Sequence, residues 1–419
     1  MADKPVTREE KYLAYLTGDY TGELPKPITR KEKYLYELCL KGMGGEVSPE
    51  EIKNAVNEYL EKNPVKPGAT AEQAQQIEQN KTDVASLKEN VKYLSNSYVT
   101  PEMFGAVGDG VTDDAEAIQY ALDNSKYVHL NEKTYLVSKN IKINNYNVLE
   151  GSGFGSALKC ADGFTGNLLL IDSVYNTEVK NLTLDGGCEF DFNKNSFTRL
   201  NGESVNGIYC DHTEHNIAVC RIKNIQINFF SGIGLVISPT TYEIIADTVA
   251  IKYCNTSGMY CRSTDSFYNN FIIGMNAYSK NRFAGCNLEG ANNNYSNFKV
   301  YLNKSGGIKC EDGTANNNYL NFNIQENNGS GLKLNAGSEG ITDNNFNNII
   351  FDSNETAIDL WQCGNNVISG IITNKLSTVN TKTWLNAWNC TKDNYIDVIA
   401  SAGVANTDKQ HLIFLKSSP

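Results

Sequence analysis

After Thr100 the sequence repeats with a period near 24 residues, and few folds can be built that way. One series is "NNYSNFKVYL", "NNYLNFNIQE", "NNFNNIIFDS", "NNVISGIITN" and "DNYIDVIASA". Each carries an Asn just before an apolar residue: Asn294, Asn318, Asn345, Asn366 and Asn394, with Asn270 before them. A second series runs half a turn out of phase and ends on Cys210, Ile237, Cys261, Cys286, Cys310, Leu334 and Leu360. A coil of this length holds three short strands and their turns, and each coil stacks on the last at ~4.8 Å. Inward residues then form columns of like side chains, as the second series shows. The Asn series is expected in a turn, where stacked amides bond one another. The spacing predicts a mainly β chain, a parallel β-helix of about ten rungs and roughly 50 Å over residues 99–419.

Such columns also account for the eleven cysteines without redox chemistry, as small buried apolar residues. Net charge is -11, which argues against duplex nucleic acid as a partner. Apolar runs such as "IGLVI" are too short to span a bilayer, so no membrane insertion is expected. The charged opening "MADKPVTREEK" reads as lacking a secretory signal, so synthesis in the cytoplasm is expected.

The first 67 residues are different. "VTREEKYLAYLTG" at Val6–Gly18 is nearly copied by "ITRKEKYLYELCLKG" at Ile28–Gly42. Thr7 and Thr29 suit N-caps, and prolines in "GELPKPITR" separate two short amphipathic helices. A third helix is predicted at "SPEEIKNAVNEYLEK", with Ser48 and Glu51 as a capping box. After the linker "NPVKPGAT", residues 68–98 show heptads, with Ile77, Val84 and Val91 at one core position and Asn80, Leu87 and Leu94 at the other. That is a coiled coil for oligomerisation; β-branched residues at a with Leu at d lean towards a dimer.

"FGAVGDGVTDDAEAIQYAL", Phe104–Leu122, resembles the motif that opens the pectate-lyase-like right-handed β-helix of bacteriophage tailspikes and related carbohydrate-active proteins. "VHLNEKTYLVSKNIKI" and "NVLEGSGFGSALK" are similar to that family's next strands, although Glu132 and Lys133 stand where a proline is common. The resemblance implies a right-handed helix and a homotrimer. Residue by residue, Thr112 or Asp113 is expected to cap a helix whose Ala117, Ile118, Ala121 and Leu122 plug the open end. Asp109, Asp113 and Asp114 suit turns and caps better than catalysis. The opening doublet is similar to segments at the start of virion appendages of phages of Gram-positive bacteria. It implies that residues 1–67 anchor the protein to a virion; a self-contained helical hairpin is the alternative.

Related β-helices cleave polysaccharides by hydrolysis with two carboxylates or by proton abstraction beside a uronate. On the strand of the Cys/Ile series the outward residues include Tyr209, Asp211, Tyr260, Arg262, Gly285, Asn287, Lys309, Glu311, Lys333, Asp359 and Trp361. Read by equal spacing, they place no two acids on neighbouring rungs, and the diagonal from Glu311 to Asp359 is the nearest pair. Carboxylates for catalysis are therefore expected in loops. The insertion at Asp185–Gly207 and "CDHTEHN" at Cys210–Asn216 bring forward Asp191, Asp211, His212 and Glu214, with His215 beside them. An H-x-x-H turn alone is weak for metal, so no metal and no cofactor are assigned. "CRIK" at Cys220–Lys223 resembles a polygalacturonase motif but lacks its acidic companions, so Arg221 and Lys223 read as surface residues of the ladder. Tyr209, Tyr260, Arg262 and Trp361 are candidate glycan contacts, because aromatic faces take the apolar face of a pyranose.

The functional expectation is an oligomeric phage appendage at the virion surface that contacts host-cell polysaccharide. A polysaccharide depolymerase on the same scaffold and a purely architectural capsid or tail fibre are the alternatives.

Overall fold

The computed structural model describes residues 98–401 and 412–416, apart from 213–216, 240, 279–283, 338–339, 374–382, 389 and 391–393, together with 76–77 and 79–81. The helical doublet, the third helix and nearly all of the heptads lie outside the described residues; 76–77 and 79–81 are helical.

From Asp109 onward the chain coils as a right-handed parallel β-helix. Its strands stack into two long parallel sheets, one of 15 strands and one of 11, with successive rungs as hydrogen-bonded neighbours. The first sheet includes Glu178–Asp185, Arg221–Asn228, Ile245–Lys252, Phe267–Gly274, Asn318–Gln325 and Asn345–Asp352. The second includes Asn206–Asp211, Ile233–Ile237, Ser257–Cys261, Cys286–Leu288, Ile308–Glu311, Ser330–Asn335, Thr356–Trp361 and Thr383–Trp388. The expected third strand shrinks to little more than single bridges, running from Tyr242 through Thr264, Ala291, Ala315 and Thr342 to Gly364.

Each rung must turn sharply, and the sequence supplies residues that tolerate positive φ. Asn181, Asn224, Asn270, Asn297, Asn321 and Asn348, with φ between 52° and 59°, bend the strands of the first sheet at one point. Asn292, Asn316, Asp343 and Asn365 do the same before that sheet begins.

The residue after each of these last four is a buried Asn, and there the amide ladder forms. The amide of Asn317 donates to Asn344 Oδ1, Asn344 to Asn366 and Asn366 to Asn394, each at 3.0 Å. The Asn293 backbone N–H donates to Asn317 Oδ1 at 2.8 Å. A second buried ladder runs from Asn276 through Asn303 and Asn327 to Asn354 at the next corner. The sequence series thus mixed three positions. Asn366 and Asn394 belong to the buried ladder, Asn294, Asn318 and Asn345 lie one residue later at strand starts, and Asn270 lies in the mid-strand bend. Runs of adjacent asparagines hide such a one-residue offset.

Inside, like stacks on like. Tyr268, Tyr295, Tyr319 and Phe346 form one ring stack with centroids 5.0, 5.0 and 4.2 Å apart. Phe271, Phe298 and Phe322 form another at 4.7 Å. The buried tyrosine hydroxyls need partners. Tyr268 meets Ser263 at 2.7 Å and accepts from Cys261 Sγ at 3.2 Å, while Tyr319 meets Cys310 at 3.7 Å. Thiols on the opposite wall are small enough to leave room for the rings and polar enough to satisfy them.

At the amino-terminal end, helix α1 (Ala115–Asn124) covers the open rung with Ala115, Ile118, Ala121 and Leu122 buried. Asp114, not Thr112 or Asp113, stands at its N-cap position, and its carboxylate turns back to accept Val107 N–H at 2.7 Å and Gly108 N–H at 3.1 Å. Asp113 accepts from Ala115 N–H and from Ser138, and Asp109 accepts from Val111 and Thr112. Burial opposes ionisation of Asp113, but its hydrogen bonds from Ser138 and Ala115 prevail and hold its pKa below the usual range. All three acids are committed to turns.

Asn317→Ala strands the Asn293 N–H inside the corner, removes one of two donors to the Gly290 carbonyl and breaks the amide bond to Asn344. It should lower the unfolding free energy by about 2–4 kcal/mol, whereas Asn318→Ala, next to it on the surface, should cost less than about 1 kcal/mol. Urea unfolding of the two variants checks the ladder register.

Candidate functional site

The outer face of the second sheet is where charged and aromatic side chains concentrate, and its register decides which of them meet. Met259 pairs with Cys286 and Cys261 with Leu288, and Cys286 then pairs with Ile308. Cys286 therefore belongs to the column of Ile208, Leu235 and Met259, not to that of Cys210 and Cys261. The near-equal spacing of 25 and 24 residues concealed a rung of 27 followed by one of 22. Both positions are buried, so the alternation of strand side chains gave no warning.

This slip of two residues moves Glu289 into line. The outward column reads Asp211, Ser238, Arg262, Glu289, Glu311, Asn335, Trp361 and Trp388. Its companion reads Tyr209, Val236, Tyr260, Asn287, Lys309, Lys333, Asp359 and Asn386. The expectation that no two acids occupy neighbouring rungs of this strand is corrected: Glu289 and Glu311 do.

Glu289 is only 6% exposed. Its Oε2 accepts from Tyr260 Oη at 3.3 Å and faces Arg262 Nε at 3.3 Å. Its Oε1 is buried with no donor of its own, and the neighbouring carboxyl is that of Glu311. Two carboxylates cannot hydrogen-bond unless one holds a proton. Burial and the Glu311 charge together push the Glu289 carboxyl up to about 7, against the opposing pull of Arg262. Glu311 is held by the Lys309 ammonium, itself largely buried. One acid of the pair is thus prepared to keep a proton and the other is paired with a cation.

A shallow groove adjoins the pair, lined by Ser305, Gly306, Lys309, Glu311, Gly329, Ser330, Lys333 and Asn335. Beyond it Lys333 meets Asp359 at 2.9 Å, and Asp359 accepts from Asn386 at 2.9 Å. The indoles of Trp361 and Trp388 then stack in parallel with centroids 5.6 Å apart, each more than a third exposed.

Of the residues singled out from sequence, Tyr209, Tyr260, Arg262, Trp361 and Asp211 share this face. Asp211 ends the strand Asn206–Asp211, and its Oδ1 accepts the His212 N–H at 2.9 Å with the His212 ring 3.8 Å away. Glu214 and His215 lie outside the described residues. Asp191 sits elsewhere. The insertion folds as a hairpin, Glu189–Asp191 with Ser196–Arg199, whose Phe190, Phe192 and Phe197 pack on Phe229, Tyr253 and Tyr278 at the corner leading into the second sheet. The Asp191 carboxylate accepts from Asn193 and Lys194 N–H and pairs with Lys194 at 3.2 Å, holding the hairpin tip. The structure does not bring it to Asp211 and His212. Arg221 and Lys223 lie on the first sheet, where Lys223 pairs with Glu178 at 3.1 Å. Among the described residues no group of three or more His, Cys, Asp or Glu side chains is arranged to hold a metal ion. No helix among them is long and apolar enough to cross a membrane.

Residues 102–294 match the family of rhamnogalacturonase A/epimerase, pectate-lyase-like proteins. The pre-neck appendage protein of Bacillus phage B103 is 31% identical over 162 residues, covering 37% of this chain and 18% of that protein. The capsule K30/K69-specific depolymerase 1 of Klebsiella phage K5-2 is 26% identical over 242 residues, covering 54% of this chain and 28% of that protein. Over these parts of its length the chain is similar to phage appendage proteins and capsule depolymerases, and its residues 102–294 carry a pectate-lyase-like domain. It spans less than a third of the length of these two curated relatives. The A-module of a mannuronan C-5 epimerase from Azotobacter vinelandii shares the fold, with a TM-score of 0.51 at 18% identity over 75% of this chain and 100% of that one.

The raised Glu289 carboxyl carries a stability signature. Its folded pKa, about 7, lies above the ordinary 4.5, so the folded protein binds this proton more tightly than the unfolded chain. That contribution is present below pH 4.5 and is lost as pH rises through 7. Glu289→Gln should therefore be more stable than the parent at pH 8, on the order of 1–3 kcal/mol, and the gap should close by pH 5. Chemical denaturation across that range measures it.

Proposed function

We propose that the protein is a virion appendage that binds a host-surface polysaccharide along the outer face of the second sheet and cleaves it at Glu289 and Glu311. The observation that carries this reading is a pair of acids on neighbouring rungs, one of them buried, flanked by a groove and by stacked indoles. The names of the relatives, appendage proteins and capsule depolymerases, support the same class of work for this chain.

In this reading Glu289 is the general acid, since its buried Oε1 keeps a proton near neutral pH and can deliver it to the leaving glycosidic oxygen. Glu311, held by Lys309, attacks the anomeric carbon from the other side. The carbon–oxygen bond breaks as the Glu289 proton moves to that oxygen. Water, deprotonated by the Glu289 carboxylate, then releases the sugar from Glu311. Retaining pairs work with carboxyls ~5–5.5 Å apart and inverting ones ~6.5–9.5 Å, and acids on adjacent rungs, whose backbones are ~4.8 Å apart, suit the shorter separation. Tyr260 and Arg262 orient the acid, and Trp361 and Trp388 supply a platform for sugar rings three and four rungs along. Tyr209, Asp211 and His212 extend the face in the opposite direction. Asp191 supports the hairpin beside it.

The remaining parts of the proposal concern assembly. Residues 1–67 attach the protein to the particle, residues 68–98 join three copies, and the appendage is exposed at the virion surface. A chain starting at Ala69 should fold and oligomerise yet fail to join particles; light scattering and a particle-pelleting assay read both properties.

Glu289→Gln and Glu311→Gln should each reduce cleavage of host polysaccharide by at least about 10³-fold while leaving binding within a few fold. Trp361→Ala should instead weaken binding by ~1–3 kcal/mol. Size-exclusion chromatography of the polysaccharide and calorimetry separate the two effects. Retained cleavage in both glutamine variants removes the acid pair from the reaction and leaves glycan binding as the function.

A further inference from the structure

We propose that Cys363 and Cys390 close into a disulfide when the protein meets a small-molecule disulfide, locking together the two rungs that carry Trp361 and Trp388. Trp361 and Trp388 are register partners, and each cysteine lies two residues beyond its tryptophan. The two sulfurs are 3.9 Å apart, facing one another across one rung step. A rung step of ~4.8 Å lies inside the ~4.4–6.8 Å between α-carbons that a disulfide spans. Rotation about the side-chain bonds is enough to bring the sulfurs together without moving the backbone far.

Access sets this pair apart. Cys363 is buried, but Cys390 is half-exposed, and it alone among the ten described cysteines is not sealed in the interior. Cys210 and Cys220 also lie near each other, yet both are fully buried, where no oxidant reaches. The hydrogen bond from the Cys363 thiol stabilises a thiolate on Cys390 and lowers its pKa, which prepares the reachable sulfur for attack.

The chemistry balances with a disulfide of the glutathione type. The Cys390 thiolate attacks one sulfur of the oxidant, releases one thiol and forms a mixed disulfide. Cys363 gives up its proton, displaces the second thiol and completes the protein disulfide. Two protein thiols are oxidised and one small disulfide is reduced to two thiols. In a reducing cytoplasm the pair stays open; in an oxidising medium it closes.

Full-length protein is incubated with oxidised or reduced glutathione and examined by intact mass and by iodoacetamide labelling. The expected result is a loss of two hydrogens, with protection of both cysteines in the peptide map. Digestion of the strand Thr383–Trp388 should slow on the order of tenfold or more after closure. Cys363→Ser should keep one glutathione on Cys390, because no second thiol displaces it, and in the peptide map Cys390→Ser should carry none on Cys363 and close no bond. A parent protein that keeps its hydrogens in the oxidant, or that loses two in the Cys390→Ser variant as well, overturns the proposal. The test does not involve glycan, so its outcome is independent of the acid-pair reading.

Discussion

The parallel, in-register stacking of rungs at ~4.8 Å underlies everything else in this molecule. A residue's nearest neighbour is the residue one rung away at the same position, so every column must be compatible with itself. Rings stack on rings in the core. Amides stack on amides at the corners, where a buried Asn satisfies the backbone that the left-handed residue before it has bent. A buried Asn alone is costly, but in a ladder each amide donates to one neighbour and accepts from another, and no group is left over.

The same constraint creates the chemistry. Charges in a column stand within a few ångströms of each other unless the sequence separates them. Along the outer face of the second sheet most acids are answered by a cation, as Asp359 is by Lys333 and Glu311 by Lys309. Glu289 has Arg262 on one side but the Glu311 carboxyl on the other, and burial beside that charge favours a proton on Glu289. In a surface column a carboxyl is raised where like charges fall on adjacent rungs and one of them is buried.

The architecture was legible because its signal is repetition: period, inward columns and the capping motif all survive in a single sequence. What was not legible turned on offsets smaller than the period. Asn293 and Asn294 are chemically identical, and only the φ of Asn292 decides which of them faces inward. Cys286 fits either inward position of its strand, so the 27- and 22-residue rungs passed for nearly equal ones and Glu289 was missed. Pairing strands by inward size rather than by equal spacing, with Leu288 beside Cys310, was the signal available for finding it. Asp113 and Asp114 are both plausible caps by composition, and the choice rests on the turn at Val107 and Gly108, which carries no pattern of its own. Asp191 drew attention as an acid in a long insertion, while the stronger message there was aromatic: three phenylalanines fastening a hairpin to the corner.

The irregular rung that brings the acids together also thins the ladder. Cys286–Leu288 and Ile308–Glu311 share only the pairs Cys286–Ile308 and Asn287–Lys309, whereas Asn167–Asp172 and Asn206–Asp211 share five. The first sheet is interrupted at the same level, between Asn294–Ser296 and Lys299–Tyr301. Because interstrand hydrogen bonds in a β-helix run along its axis, a pull on the two ends is carried in series by every rung. The shortest pairing along a sheet sets its breaking load, and among the described strands of the second sheet the pairing with the fewest register partners is the one beside Glu289. Under tension that sheet would therefore part first where the two acids meet, which makes the acid pair its mechanical fuse.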